Sequence, residues 1–291
     1  MKKNHPIALC HSKGPNLGDS VNPYIFERVL GIPVKSYYKR PLQARVLGIG
    51  TIIGNGLLRP RQSLTRRCLY QLLSPLHVFS SGITGVWDDE DVAPMRRLIF
   101  HALRGALTRD QLVKLGLLAE TADVALGDAG LLASFLLERK PAKRYFCGIV
   151  PHVADAGLPC VQELCGKIKN AVVINVREDP LKVIEQLAAC ELILASAMHG
   201  LIMADALGIP NQWVRFSEHA QIGGRGGRFK FHDYYSIYPG YAHEPIVPEE
   251  IMRSFLPEVF MGQFDPRTAC VAKVQQALLA AGEKLKLELG H

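Results

Sequence analysis

The stretch Glu191-Leu-Ile-Leu-Ala-Ser-Ala-Met-His-Gly-Leu-Ile-Met-Ala-Asp-Ala-Leu-Gly-Ile-Pro210 predicts a buried strand followed by a helix, the repeating step of parallel α/β sheets. The strand ends at Ala195, Ser196 is suited to cap the helix, and His199 falls in its first turn. A helix N-terminus offers free N–H groups and a partial positive charge, which suit a phosphate or carboxylate. Gly200 would permit close approach of the backbone. His199 could bind the anion and transfer a proton, although simple packing or capping would also account for it.

The same alternation of short apolar runs and helical patterns continues along the chain and is typical of βαβ units. It predicts helices at residues 23–30, 108–115 and 269–289, with Gly116 ending the second. The predicted strands cover residues 7–11, 46–50, 77–81, 98–103, 145–150, 171–175, 191–195 and 212–216. We therefore expect an α/β protein with two Rossmann-like parallel sheets.

The chain of 291 residues exceeds the usual size of one hydrophobic core, which favours two domains. The charged stretch at residues 138–144 is the best candidate for a linker. We expect an N-terminal α/β domain at residues 1–140, a C-terminal α/β domain at 141–262 and a closing helix at 263–291. Ligands of open parallel sheets bind at the carboxyl ends of the strands, so facing domains would place the site in the cleft between them.

The composition indicates an anionic partner and a reducing compartment. The formal charge is +7, from 34 Lys and Arg against 27 Asp and Glu. The seven cysteines are scattered and form no CxxC pair, which indicates neither a zinc site nor a disulfide framework. The apolar run at residues 6–10 is too short for a signal peptide, and His199 and Asp205 interrupt the apolar stretch at residues 192–209. We expect a cytoplasmic protein.

Six short motifs resemble, in the same order, those of the polysaccharide pyruvyl transferases. The motifs are Asn16-Leu-Gly-Asp19, Arg104-Gly-Ala-Leu-Thr-Arg109, Leu126-Gly-Asp128, Pro151-His152, Ser196-x-x-His199-Gly200 and Lys230-Phe-x-Asp-Tyr-Tyr235. Each motif alone is weak, whereas the ordered set is specific. One departure is Ala197, because many family members carry arginine two residues before this histidine. A contact that the arginine makes to the donor must come from elsewhere in this chain.

The resemblance implies a GT-B-like fold, in which two Rossmann-like domains face each other, with the acceptor on the N-terminal side and the donor on the C-terminal side. It also implies a metal-independent transfer of the enolpyruvyl-derived group of phosphoenolpyruvate to sugar hydroxyls of an exopolysaccharide or cell-surface glycan. The product would be a pyruvate ketal. Phosphoenolpyruvate is then the donor substrate, an oligosaccharide, free or lipid-linked, is the acceptor, and no cofactor is expected.

This chemistry needs a general acid, a base for the attacking hydroxyl and cations for the donor. The candidate catalytic residues are His199, Asp19 and His152. The candidate substrate-binding residues are Asn16, Gly18, Arg104, Arg109, Ser196, Gly200 and Lys230, and none is a candidate metal ligand. Ordinary roles stay open for several of them. Asp19 and Asp128 would serve as turn or cap residues, the arginines as a solvated helix start, and His152 as a satisfied loop histidine.

Two basic segments bear on the choice of partner. Residues 59–73 mix four arginines with leucines, as a helix on an anionic membrane at the inner face of the cell would, or an ordinary surface helix. The glycine-dense stretch at residues 223–228 predicts a flexible loop that closes over substrate, and one short Arg/Gly copy does not indicate nucleic-acid binding.

Three other functions compete with pyruvyl transfer. A nucleotide-sugar glycosyltransferase could share the two-domain architecture, because fold does not determine the donor. A non-catalytic polysaccharide-assembly protein would have no need for His199, Arg104, Arg109 and Lys230 together. A dinucleotide oxidoreductase is disfavoured because the loop after the first strand lacks GxGxxG.

Overall fold

Two parallel sheets with flanking helices form the protein, which confirms the α/β class. The structure is a computed structural model. It describes residues 5–38, 43–53, 58–60, 73–83, 85, 92–94, 96–217, 227–238, 240, 243–254, 256, 260–262, 264–265 and 267–291.

The strands of the described chain run in parallel within each main sheet, and a small antiparallel pair, β4 with β6, lies apart from both. Strands β1 to β12 are Ile7–His11, Val34–Tyr38, Val46–Leu47, Leu58–Pro60, Leu76–Ser81, Val92–Pro94, Leu98–Leu103, Ala125–Leu126, Tyr145–Val150, Ala171–Val173, Cys190–Ala195 and Asn211–Trp213.

The helices are short except for the last one. Helices α1 to α9 are Leu17–Ser20, Asn22–Tyr24, Ala106–Lys114, Pro159–Lys167, Pro180–Ala188, Met198–Ala206, Phe229–Tyr235, Pro248–Ser254 and Thr268–Leu289. A π-helical turn at Ile25–Val29 continues α2, and a 3₁₀ helix spans Ala129–Leu136.

The strand order positions the loops that matter for function. It is β2-β1-β3-β5-β7-β8 in the first sheet and β10-β9-β11-β12 in the second. In the first sheet the chain passes from β1 to β2 on one side and then to β3 on the other side. In the second sheet it passes in the same way from β9 to β10 and then to β11 on the opposite side. Parallel sheets bind ligands where the order reverses, outside the carboxyl ends of the strands. The loops after β1, β3, β9 and β11 occupy these positions.

The predicted strands at residues 7–11, 98–103 and 145–150 are confirmed with the expected bounds, and helix α3 ends as expected before Gly116, which adopts φ +65°. Others are shorter: β3 ends at Leu47, and β12 ends at Trp213 rather than at 216. Strand β2 was missed because it is an edge strand with a mixed polar pattern, so its sequence lacks the continuous apolar run of a buried strand.

A single hydrophobic cluster joins both sheets and the last helix. It contains Leu9 of β1, Ile193 of β11, Leu201 of α6 and Leu278 of α9, each with no exposed surface. Helix α9 packs against β7, β8 and the 3₁₀ helix, as expected of a closing helix that returns across the N-terminal half. The division at residues 140 and 262 stays a prediction.

Two predictions concern segments largely outside the described residues. Of the basic stretch at 59–73, residues 61–72 are not described, and of the glycine-dense stretch at 223–228, residues 223–226 are not described. Among the described residues, no helix is both long and apolar enough to cross a membrane.

Candidate functional site

His199 lies at the meeting point of the two sheets. It follows β11 in the first turn of α6, as predicted, and is 8% exposed. Its ring packs directly on Gly18 in α1, because a Cβ added to Gly18 would come within 2.0 Å of ring atoms Cε1 and Nδ1. The loop after β1 and the loop after β11 therefore share one contact, which only a glycine at position 18 allows.

Asp128 faces the other edge of the His199 ring. Its Oδ2 lies 3.6 Å from His199 Nε2, and both atoms are buried without a hydrogen bond. The other oxygen, Oδ1, accepts a hydrogen bond of 2.8 Å from Gly130 N–H and caps the 3₁₀ helix. The capping role expected of Asp128 is confirmed, and the contact with His199 is an additional role.

Ser80 holds the Asp128 loop in place. Its hydroxyl donates to Gly127 C=O at 2.8 Å and accepts from Ala129 N–H, so it bonds both neighbours of Asp128. Ser80 has φ +63° at an irregularity where β5 pairs with β7. This backbone conformation costs free energy for a residue other than glycine, and strained backbone of this kind is concentrated at functional sites. The sequence alone carried no signal for this role.

Ser196 does not cap α6, contrary to the prediction. The residue preceding the helix is Ala197, and no side chain caps its first turn. Ser196 Oγ instead donates to Asp155 Oδ2 at 2.5 Å and accepts from His152 N–H at 2.9 Å. The strong charged acceptor at Asp155 draws the hydroxyl away from the helix.

Asp155 is a buried carboxylate that the sequence analysis missed. It has no exposed surface, and its second oxygen accepts a 2.5 Å hydrogen bond from Ser217 Oγ. Through Ser196 and Ser217 it connects the loops that follow β9, β11 and β12. It therefore fixes the carboxyl edge of the second sheet.

His152 is a half-buried histidine in the loop after β9. Its Nδ1 accepts a hydrogen bond of 3.2 Å from Ala154 N–H, so the neutral ring carries its proton on Nε2. Burial lowers the pKa of His152, the charge of Lys230 lowers it further, and Asp155 partly offsets both. Nδ1 is thus hydrogen-bonded within its own loop, as the alternative interpretation expects. Nε2–H can donate to other groups.

Lys230 lies at the start of α7 and brings this helix into the site. Burial lowers the pKa of Lys230 to about 8, with a further lowering by Arg104, whereas Asp19 and Asp155 raise it. Lys230 thus shares its surroundings with His152 and with two carboxylates, one from each sheet. Its neighbour Phe231 stacks on Trp213 with ring centroids 4.1 Å apart, which anchors the helix.

Arg104 is fully buried, and its guanidinium group anchors α7. Its Nε donates to Asp233 Oδ2 at 2.8 Å, Nη1 to Thr51 Oγ1 at 2.6 Å, and Nη2 to Ile83 C=O at 3.0 Å. Asp233 is buried and also accepts from the backbone and hydroxyl of Thr108. The guanidinium thus bonds groups of the protein itself, and binding of the donor by Arg104 stays a prediction.

Arg109 is not brought together with the other predicted residues. It is partly exposed on α3, where it contacts Asp110 at 3.2 Å and Glu120 C=O at 2.5 Å. It lies in the first turn of the helix with a partly exposed side chain, in agreement with the alternative interpretation of a solvated helix start.

The Asn16–Asp19 motif forms the first turn after β1. Asn16 C=O accepts from the N–H groups of Asp19 and Ser20, both at 2.9 Å, so Asn16 starts α1 and Asp19 is not its cap. Asn22, absent from the prediction, bonds Gly18 C=O at 3.0 Å and Ile49 N–H at 2.7 Å. This buried amide ties the loop after β1 to the loop after β3.

Gly200 lies one residue beyond His199 and allows α6 to approach β9. A Cβ at this position would come within 2.9 Å of Val150. The predicted close approach at Gly200 is therefore to the protein's own strand.

A cavity of about 440 Å³ lies away from this site. Tyr145, the first residue of β9, lines it together with Arg139, Arg144, Glu178 and Lys182. Since the site residues follow the opposite end of β9, this cavity takes no part in the arrangement above.

Comparison with known proteins finds partial relatives. The chain is 29% identical over 141 residues to uncharacterized protein L143 of Acanthamoeba polyphaga mimivirus, covering 47% of each protein. It is 27% identical over 227 residues to succinoglycan biosynthesis protein ExoV of Rhizobium meliloti, covering 77% of this chain and 61% of that protein. The chain thus matches about half and about three fifths of these relatives' lengths. No family model matches the chain.

Among solved structures, a functionally uncharacterized protein of Klebsiella pneumoniae has a TM-score of 0.43 at 15% identity, over 84% of this chain and 92% of that one. A UDP-N-acetylglucosamine 2-epimerase has a TM-score of 0.41 at 12% identity, over 100% and 97%.

Proposed function

We propose that this protein transfers the enolpyruvyl-derived group of phosphoenolpyruvate to two hydroxyls of a sugar and so forms a pyruvate ketal. The observation that carries the proposal is that His199 packs on Gly18, next to Asp19, while Lys230 shares its surroundings with both Asp19 and His152. These groups come from four separate motifs of the ordered set. They supply the proton donors, the acceptor and the cation that the reaction requires.

The reaction balances with these groups alone. Protonation of the donor's methylene carbon generates an oxocarbenium-like centre, which a sugar hydroxyl attacks with loss of its proton. Inorganic phosphate leaves, and the second hydroxyl attacks the same carbon and loses its proton. One of the two released protons replaces the one spent on the methylene, and the other goes to phosphate or solvent. The path includes no redox step and no cofactor.

We assign His199 as the proton-transferring group, because its ring lies between Gly18 and Asp128, with Nε2 3.6 Å from Asp128 Oδ2. Lys230 and the free N–H groups of α6 receive the phosphate and carboxylate of the donor. Arg104 acts as a positioning residue through Asp233. His152 and Asp19 are the candidates for activating the hydroxyls.

Likeness to a succinoglycan biosynthesis protein supports a role in polysaccharide biosynthesis and an oligosaccharide acceptor. We further propose that residues 1–140 form the acceptor side and residues 141–262 the donor side of a GT-B-like pair, working in the cytoplasm without a metal in the reaction. We also propose that residues 59–73 contact the inner face of the cell membrane.

The test measures phosphate release from phosphoenolpyruvate with a panel of galactosides, glucosides and mannosides. We expect acceptor-dependent release by the wild type, a loss of about 10²–10⁴-fold in His199→Ala, and normal rates in His232→Ala. His232 is a suitable control because it lies on α7 with its side chain 37% exposed. Near-normal turnover by His199→Ala would remove this residue from the mechanism.

A second measurement separates the donors. We expect phosphoenolpyruvate to raise the melting temperature of the wild type, whereas nucleotide sugars leave it unchanged. Stabilisation by a nucleotide sugar and not by phosphoenolpyruvate would favour the glycosyltransferase alternative.

A further inference from the structure

Two histidines and a glutamate meet far from the candidate site. His77 lies near the start of β5, His101 on β7, and Glu288 in the last turn of α9. His77 Nδ1 is 2.9 Å from His101 Nε2, and Glu288 Oε2 is 3.7 Å from each of these nitrogens. The three ligand atoms lie within 4.8 Å of one another. Their sequence separation hides the group from any motif search.

We infer that His77, His101 and Glu288 form a binding site for a divalent transition-metal ion of the zinc class. Two imidazoles and one carboxylate are a ligand set that zinc takes in proteins. Zinc bonds of about 2.0–2.2 Å at tetrahedral angles place ligand atoms about 3.3 Å apart. The observed spacings each differ from this value by less than about 0.5 Å, within reach of small side-chain rotations.

The two imidazoles lie in an enclosed position. Both rings are 3% exposed, so solvent competes little with a metal ion for their nitrogens. In the metal-free protein, an N–H group of one ring donates a hydrogen bond to a nitrogen of the other ring. To bind a metal, the donating ring must carry its proton on its other nitrogen. Glu288 is partly exposed, which leaves water access to a fourth position.

The position of the site indicates a structural role. His101 lies where the register of β7 against β5 shifts, and such bulges redirect side chains. A metal ion would tie the last turn of α9 to the middle of the first sheet. It would therefore stabilise the closing helix and leave the proposed transfer reaction untouched.

The test compares zinc chloride binding to the chelator-treated full chain in three forms. We expect one high-affinity Zn²⁺ per wild-type chain by calorimetry, and a melting temperature that rises by several degrees when zinc is added. In Glu288→Gln the affinity should fall by more than the about 10–100-fold that loss of an outer-shell partner costs. Glu283→Gln, an exposed carboxylate on the same helix, should bind as the wild type does.

Co²⁺ substitution provides a signature independent of stability. We expect visible d–d absorption typical of four-coordinate nitrogen and oxygen ligation in the wild type and in Glu283→Gln, and its loss in Glu288→Gln. Zinc binding that is equal in wild type and Glu288→Gln, or absent from the wild type, would overturn the inference.

Discussion

Gly18 and His199 show how a missing side chain can define a site. The imidazole lies where a Cβ at position 18 would be, at 2.0 Å from two ring atoms. Gly18 belongs to the first half of the chain and His199 to the second. The glycine therefore sets how closely the two loops approach, which the Asn-x-Gly-Asp pattern did not reveal.

We predict that Gly18→Ala lowers kcat by at least about 100-fold, because the ring must move by roughly an ångström or more. Gly166→Ala is the matched control: it is also helical, exposed, and has no atom within 4 Å of an added Cβ. Phosphate-release kinetics and thermal melting would be measured for both. Full activity in Gly18→Ala would show that the ring's position is not critical.

Lys230 gives a pH dependence whose sign follows from its environment. Its pKa is lowered to about 8, so its positive charge is lost as the pH rises through about 8. Above about pH 7 the donor phosphate is fully ionised and contributes no further change. We expect the KM for phosphoenolpyruvate to rise above about pH 8 in the wild type.

In Lys230→Arg the guanidinium stays charged, so the rise in KM should move to higher pH, and Lys230→Met should show a high KM throughout. Steady-state kinetics at saturating acceptor would measure this. A flat wild-type profile between about pH 7 and 9 would exclude Lys230 as the group that receives the phosphate.

Helix α7 owes its position to Asp233. This buried carboxylate accepts from Arg104 and Thr108, and the chain turn at Gly105 lies so close that an added Cβ would come within 1.7 Å of Asp233 C=O. The helix carries Lys230, so the ion pair between Arg104 and Asp233 links stability to the site.

We predict that Asp233→Ala destabilises the protein by about 3–5 kcal/mol, because it leaves the Arg104 charge buried without a partner. The melting temperature should fall by about 10 °C. Asp110→Ala, whose side chain is 64% exposed beside Arg109, should change stability by less than about 0.5 kcal/mol. Equal melting temperatures for the two variants would contradict a stabilising role for Asp233.

At the level of elements, sequence reasoning succeeded where a strand is buried on both faces. Apolar runs such as residues 145–150 identify themselves, and the loops that follow them carry His152 and His199. It failed where a partner that is distant in sequence determines the role of a side chain. Ser196 bonds Asp155 rather than its own helix, and Arg104 bonds Asp233, 129 residues away. Local patterns contain no information about such partners.

The whole molecule has a core that both sheets share, and we propose that the predicted domains do not unfold independently. Leu9, Ile193 and Leu278 belong to one buried cluster, although they lie in the first sheet, the second sheet and α9. Hydrogen exchange of β1 and β11 in increasing denaturant should give the same free energy of opening. Exchange of one sheet at clearly lower denaturant would contradict this coupling.

Leu278→Ala should lower the opening free energy of both strands by about 2–5 kcal/mol, because it removes a buried side chain from the shared cluster. Leu287→Ala on the same helix, where the residue is 75% exposed, should have little effect. A decrease confined to β1 would show that α9 stabilises the first sheet alone.

The stack of Trp213 on Phe231 has an optical consequence. The indole is buried, and the residue that precedes its stacking partner Phe231 in α7 is Lys230. Tryptophan emission responds to nearby charge and to the packing of the ring. With Trp87, the second tryptophan, replaced by phenylalanine, fluorescence would report anion capture at Lys230 in real time, without a label and without turnover.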